Sequence, residues 1–300
     1  MSMPIALHWN ASALAGCFRA VEALFRSQQL ADPALAEVLA EPADRLLAAL
    51  HDEGIPAESF LSHIIPLAAG TGGLHQISEV ALIRTIGRTD TPSRLRRFWD
   101  LLTDLKTAFT AAQPRCAELL PGPMKQLEGR WNAHGVGILG GVITGTEPGV
   151  LVEEAMVVVA PPILGGGGAA YLPYNVALVE TVVDDPTPEL PEVVRLAWLL
   201  AMLNLDLPRY SENIRPDRRA TVAALAMLPI VLTAAADVRL ASCDEAAIQR
   251  AVEVWLPLPQ FQNRTAAEWA ALLVQWHATF RDMRPPLGQA LMALDVLMGE

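Results

Sequence analysis

LVEEAMVVVAPPILGGGGAAYLPYNVALVETVV, residues 151–183, decides how this chain is read. Val157-Val158-Val159 is a β-branched run of the kind that sits in a strand buried on both faces. Residues 151–160 and 174–183 are each long enough for a strand. Between them lie the rigid pair Pro161-Pro162 and four glycines, Gly165, Gly166, Gly167 and Gly168. Residues 136–143 add a further β-type run upstream, so a β-rich centre is expected over about 131–183.

Outward from that centre the pattern turns helical. Over 11–112, Asp32-Pro33 and Thr91-Pro92 each offer a capping side chain followed by proline at the first helical position. Gly54 and Gly87 stand where helices end on a left-handed residue. Residues 113–131 carry Pro114, Pro121, Gly122 and Pro123 and read as a connector. From 189 onward helices return, with capping boxes expected at Ser242/Glu245 and Thr265/Glu268. The expected fold class is therefore mainly helical α+β: a helical region, 1–125, and an α+β region, 126–300, with strands within about 131–183 and helices from 189.

Composition narrows the function. Apolar residues make up 52% of the chain and charged ones 18%, below the roughly 25% charged of an average soluble domain. The surplus calls for a deep core together with an interface to a partner or a second copy. A formal net charge of −11 repels phosphate backbones, which disfavours nucleic acid. The one basic cluster, Arg84, Arg88, Arg94, Arg96 and Arg97, has no accompanying nucleic-acid module and reads as a solvated helix face. Three cysteines, Cys17, Cys116 and Cys243, lie far apart without metal or disulfide spacing, so a cytoplasmic setting is expected. Leu14-Ala15-Gly16-Cys17 looks like a lipoprotein cleavage box, but no Lys or Arg precedes it and an amphipathic helix runs through it. Residues 220–236 are uncharged yet too short for a ~30 Å hydrocarbon core, and Pro229 interrupts them. A buried helix is the expectation, and membrane association is disfavoured.

The candidate chemistry is sparse. Residues 135–140, GVGILG, match GxGxxG, but no strand precedes them and β-prone residues follow, so a glycine-rich strand or hairpin is expected rather than a dinucleotide site. Gly165 to Gly168 lack a following Lys-Ser/Thr and read as a loop or flap, one able to cover a groove. The helix expected over 191–206 is apolar nearly all round, hence buried. It carries Arg195, whose charge needs a carboxylate; Glu192, three residues before, and Glu180, near the end of the preceding strand, are the two partners to test. Of six histidines only His134 adjoins the β centre. Neighbours Glu153 and Glu154 point to opposite faces of a strand, and Asp184-Asp185 reads as solvated charge. There is no GxSxG and no locally activated cysteine.

A glycine-rich loop, a strand, a short acidic connector (Asp184, Asp185, Glu189) and a buried helix together resemble the layout of zincin-type metallopeptidases. In that family an edge strand lies beside a helix bearing HExxH, whose histidines bind zinc and whose glutamate activates water. The matching positions here are Arg195, Leu196 and Leu199, which supply none of those groups. The resemblance implies a scaffold without its metal and carries over no catalytic residue. No metal or cofactor is expected.

The function expected is that of a non-enzymatic interaction or structural protein, burying apolar helix surface against a protein partner or a second copy. The alternative is a hydrolase-like or degenerate zincin scaffold with a ligand groove under Gly165 to Gly168, in which Glu180, Glu192, Arg195 and His134 are the polar groups to test.

Overall fold

A computed structural model of the chain describes residues 5–70, 72–87, 91–180, 188–256 and 264–299. Arg88, Asp184, Asp185 and the last three positions of the strand expected over 174–183 lie outside the described residues. The chain opens with strand β1 (Ala6–Ala11), then helices α1 (Ala13–Phe25), α2 (Pro33–Asp52), α3 (Ala57–Leu67), α4 (Leu74–Ile86), α5 (Pro92–Ala112), α6 (Cys116–Leu119) and α7 (Pro121–Gly145). Three strands follow: β2 (Glu154–Ala160), β3 (Gly167–Tyr171) and β4 (Val176–Glu180). The remainder is helical: α8 (Glu192–Met202), α9 (Pro208–Ser211), α10 (Arg219–Asp237), α11 (Glu245–Trp255), α12 (Ala266–Met283) and α13 (Leu287–Gly299). This is the mainly helical α+β class, with a small mixed sheet and helices at both ends.

The strands are ordered β1-β2-β4-β3. β1, β2 and β4 run parallel, and β3 is antiparallel to β4. Val157, Val158 and Val159 of β2 are all buried, as a central strand covered on both faces requires. The two covering layers can be read from neighbouring glycines. A Cβ added to Gly167 would meet the Glu180 carboxylate, whose partner is Arg19 of α1; one added to Gly168 would meet Leu199 of α8. Successive residues of a strand face opposite ways, so the sheet lies between α1 and α8. Beyond α1 pack α2, α3 and α5, and beyond α8 pack α7 and α10.

Several local signals operate as read. Asp32 caps α2, Thr91 caps α5, and Thr265 with Glu268 forms a full capping box on α12. Gly87 closes α4 in the left-handed region at φ 82°. Arg94 and Arg97 pair with Glu53, which accounts for much of the basic cluster. Length alone does not exclude α10, contrary to the expectation above, since its 19 residues are long and apolar enough to cross a bilayer; yet it packs on α7, α8 and α12 with 72% of its most apolar window buried.

Four expectations are corrected. Residues 136–143 are not a strand: with the whole GxGxxG stretch they lie inside α7. Close packing explains the glycines, since a Cβ on Gly141 would come within 2.7 Å of the Ala234 Cβ on α10, and one on Gly135 within 2.5 Å of the Trp131 ring. Residues 113–131 are a connector only as far as Leu120, with the single-turn α6 inside it; Pro121 and Pro123 occupy the first turn of α7, where the missing N–H has no helical acceptor to lose. β1 lies within the region read as helical and pairs with β2 across it. Finally, Asp244, not Ser242, caps α11, accepting from the Ala247 N–H at 2.8 Å.

Candidate functional site

β3 forms one border of the sheet, and a groove of about 1050 Å³ runs along it. That is at the upper limit of the roughly 300–1,000 Å³ typical of small-ligand pockets. One wall is the strand itself, from Gly166 through Leu172. At one end α1 and α3 contribute Arg19, Glu22, Arg26 and Glu58; at the other, Trp198, Leu199 and Met202 of α8 meet Trp255 and Trp269. Arg215, Asp217 and Arg218 stand on the rim beside α10. The groove therefore has a charged end and an aromatic end, one on each face of the β3 border.

The border is unusually bare. Edges of sheets are commonly guarded by Lys, Pro, charge or a bulge. Here Gly167, Gly168, Ala169 and Ala170 present two hydrogens and two methyl groups, and the last three are half-buried. Among the described residues no strand pairs with the outer side of β3.

Gly165 to Gly168 divide between loop and strand. Gly165 and Gly166 adopt φ of 81° and 117°, which only glycine tolerates readily. Gly167 and Gly168 begin β3. The segment is tied down rather than loose. Glu180 Oε2 accepts the Leu164 N–H at 2.7 Å, the Ala31 N–H reaches the Ile163 carbonyl at 2.8 Å, and Arg195 Nη1 donates to the Gly167 carbonyl at 3.5 Å.

Glu180 is fully buried at the end of β4, and its other oxygen accepts from Arg19 Nε at 3.3 Å. The side chain that answers Glu180 is thus Arg19, not Arg195. Arg19 also pairs with Glu22, which in turn meets Arg26 at 3.0 Å, and Arg26 reaches Glu58 at 3.3 Å. Burial is the largest single influence and works against the charge on Arg19, but Glu22, Tyr171 and Glu180 together outweigh it and hold the guanidinium still more firmly protonated. Arg195, 2% exposed, also lies 5.8 Å from the centre of the Trp255 ring. Glu192 is buried one turn before it on α8.

His134 belongs elsewhere. It sits half-buried in the middle of α7 and is not among the residues lining the groove. Glu180 and Arg195 bond to the glycine segment from behind the groove wall, where both are buried; like His134, neither lines the groove, whereas Gly166 to Gly168 do. Burial pushes the thiols of Cys17, Cys116 and Cys243 upward, the reverse of an activated nucleophile. Among the described residues no three His, Cys, Asp or Glu side chains gather as a metal site would require.

Sequence reading did not single out Arg19, Glu22, Tyr171 or Trp255. One signal was available: Arg19 and Glu22 are the two charges in the otherwise apolar helix ALAGCFRAVEALF, spaced i, i+3. Compared with known proteins, the chain matches no family model, no curated protein and no solved structure.

Proposed function

We propose that this chain is a non-enzymatic protein-interaction protein that receives a segment of a partner in the groove along β3. The observation that carries this reading is the bare border strand, Gly167 to Tyr171, opening into a groove rather than into another strand. Backbone N–H and C=O groups on the outer side of such a strand are ready to pair with an extended segment, and pockets on either face then select its alternate side chains. The recess favours a linear segment over a second copy. β3 lies between helical layers, and two such recessed borders would have their flanking helices collide before the strands met.

Affinity in this mode comes chiefly from ladder hydrogen bonds; Trp198, Met202 and Trp255 are already nearly buried, so apolar burial rests mainly on the part of the partner's own surface that enters the groove. The burial is worth about 25 cal/mol per Å² before the cost of association is subtracted. None of Glu180, Glu192, Arg195 and His134 lines the groove, which supports binding without turnover, because general acid–base chemistry needs such groups within reach of one reacting atom.

A second reading has one observation in its favour. Antiparallel β3, then β4, then α8 beside a groove follow the order expected of a zincin-type scaffold, here with Arg195, Leu196 and Leu199 at the ligand positions. In that reading the groove is inherited and still binds peptide, but cleaves nothing.

Affinity capture with the 300-residue chain and with an Ala170→Arg variant, which places a long cation in the groove, tests the proposal. A partner retained by the wild type and lost by the variant is the expected result. A partner retained equally by both, or stoichiometric metal in the purified protein accompanied by peptide cleavage, would overturn it.

A further inference from the structure

The charged end of the groove is not electrically closed. Glu180, Arg19, Glu22, Arg26 and Glu58 form a chain in which acids and guanidiniums alternate, beginning and ending on a carboxylate. Three acids against two arginines leave one negative charge in excess. Its inner members are shielded from water: Glu180 is fully buried, and Arg19 and Glu22 are nearly so. Charge buried in this way is screened little by salt.

Two polar atoms at the same end have no hydrogen-bond partner among the described residues. One is the phenol oxygen of Tyr171, a groove-lining residue only 7% exposed. The other is the side-chain carbonyl oxygen of Gln28, also a groove-lining residue. Gln28 Oε1 can only accept. The Tyr171 phenol keeps its proton, because burial first and the nearby Glu22 second push its titration well above the ordinary range. Buried polar atoms are rarely left without partners. Surplus negative charge beside unpartnered acceptors is the complement of a cation that carries several donors.

The geometry points to the Arg19–Glu22–Arg26–Tyr171 end of the groove as an anchor for a cationic side chain, guanidinium or ammonium, on the segment that occupies β3. This rests on reading the groove as an interaction site. A guanidinium offers five N–H donors in a fixed fork and an ammonium three. Either carries enough donors for the unpartnered oxygens of Tyr171 and Gln28, and the outermost carboxylate, Glu58, lines the same groove. The aromatic end, on the other face of the β3 border, is left to take an apolar side chain.

A random heptapeptide library displayed on phage, panned on the immobilised wild-type chain and counter-selected on Ala170→Arg, tests this. Enriched sequences are expected to share one Arg or Lys at a fixed position. In a synthetic peptide of the best sequence, citrulline or norleucine at that position should weaken binding tenfold or more. Glu58→Gln, a change at an exposed side chain, should reduce the preference for the cation, and Tyr171→Phe should do so without altering the fold. If groove-dependent peptides emerge without a basic residue, or the neutral replacement binds as well, the anchor is wrong while the interaction reading stands. If no peptide is enriched on the wild type over Ala170→Arg, both fall.

Discussion

Glu180 and Arg195 hold the glycine segment at two points three residues apart: the first accepts the Leu164 N–H, the second donates to the Gly167 carbonyl. Neither is the other's answer, since Glu180 is matched by Arg19. A segment that looks free in sequence is thus anchored by two buried charges, and the groove wall inherits its position from them.

Glu180→Gln should therefore destabilise the protein and loosen the segment. Removing one partner of a buried ion pair typically costs about 3–5 kcal/mol. Because Arg19 keeps Glu22, the lower end of that range is expected. Urea denaturation gives the energy, and hydrogen exchange at Leu164 through Gly168 gives the loosening. A loss below about 1 kcal/mol would mean the pair is not the anchor described.

Gly141→Ala offers a test of the α7–α10 contact. On an isolated helix the change would gain about 1 kcal/mol. Here the new methyl meets the Ala234 Cβ at 2.7 Å, and overpacking of that kind costs about 1–3 kcal/mol. A net loss of stability is expected, recovered on adding Ala234→Gly. If Gly141→Ala alone raises the thermal midpoint, the helices are not in close contact.

His277, buried in α12 next to Trp276, should make stability depend on pH. Burial first, and Arg281 second, bring its pKa down to about 4. An unfolded histidine titrates near 6.5. Between those values the unfolded chain binds the proton and the folded one does not, so this contribution to stability falls as pH falls from about 6.5 to about 4. The full effect is at most about 3 kcal/mol. Denaturation midpoints of the wild type and His277→Gln across that window should converge at low pH; parallel curves would refute the assignment.

Ser12 ties α1 to α3. Its hydroxyl caps α1 by accepting the Ala15 N–H at 3.0 Å and donates to the Ala68 carbonyl at 3.0 Å. Ser12→Ala should cost about 1–2 kcal/mol, since a lost cap is worth roughly that much and a buried carbonyl loses its donor. Ser12→Thr, which keeps the hydroxyl, should recover most of it in the same melt.

Much of the fold was legible because local chemistry and tertiary demand agree. Val157 to Val159 read as a doubly covered strand and are one; Asp32, Thr91 and Thr265 read as caps and cap their helices. The misreadings share a cause. In α7, glycines and Val142-Ile143 oppose helix by local preference, but those glycines let the helix approach Ala234 and Val238, and packing overrides propensity. β1, ALHWNA, is a short border strand whose only strand neighbour among the described residues is β2, so nothing nearby in sequence declares it. The groove was expected under the glycines, but its charged end comes from Arg19 on α1, Glu58 on α3 and Tyr171 on β3, and no local spacing links residues so far apart.

The β1–β2 pairing has a consequence for biosynthesis. Ala6 lies opposite Glu154, roughly 150 positions later. At a ribosomal rate of about 5–20 residues per second, β1 waits on the order of 8–30 s for its mate to be made. Throughout that interval a nascent strand with open backbone groups must be sheltered by the helices translated just after it. Those helices draw on near-neighbour contacts and can form early. Sheet completion is then a late event, and the native yield should depend on how well α1 to α5 hold together before translation reaches residue 154.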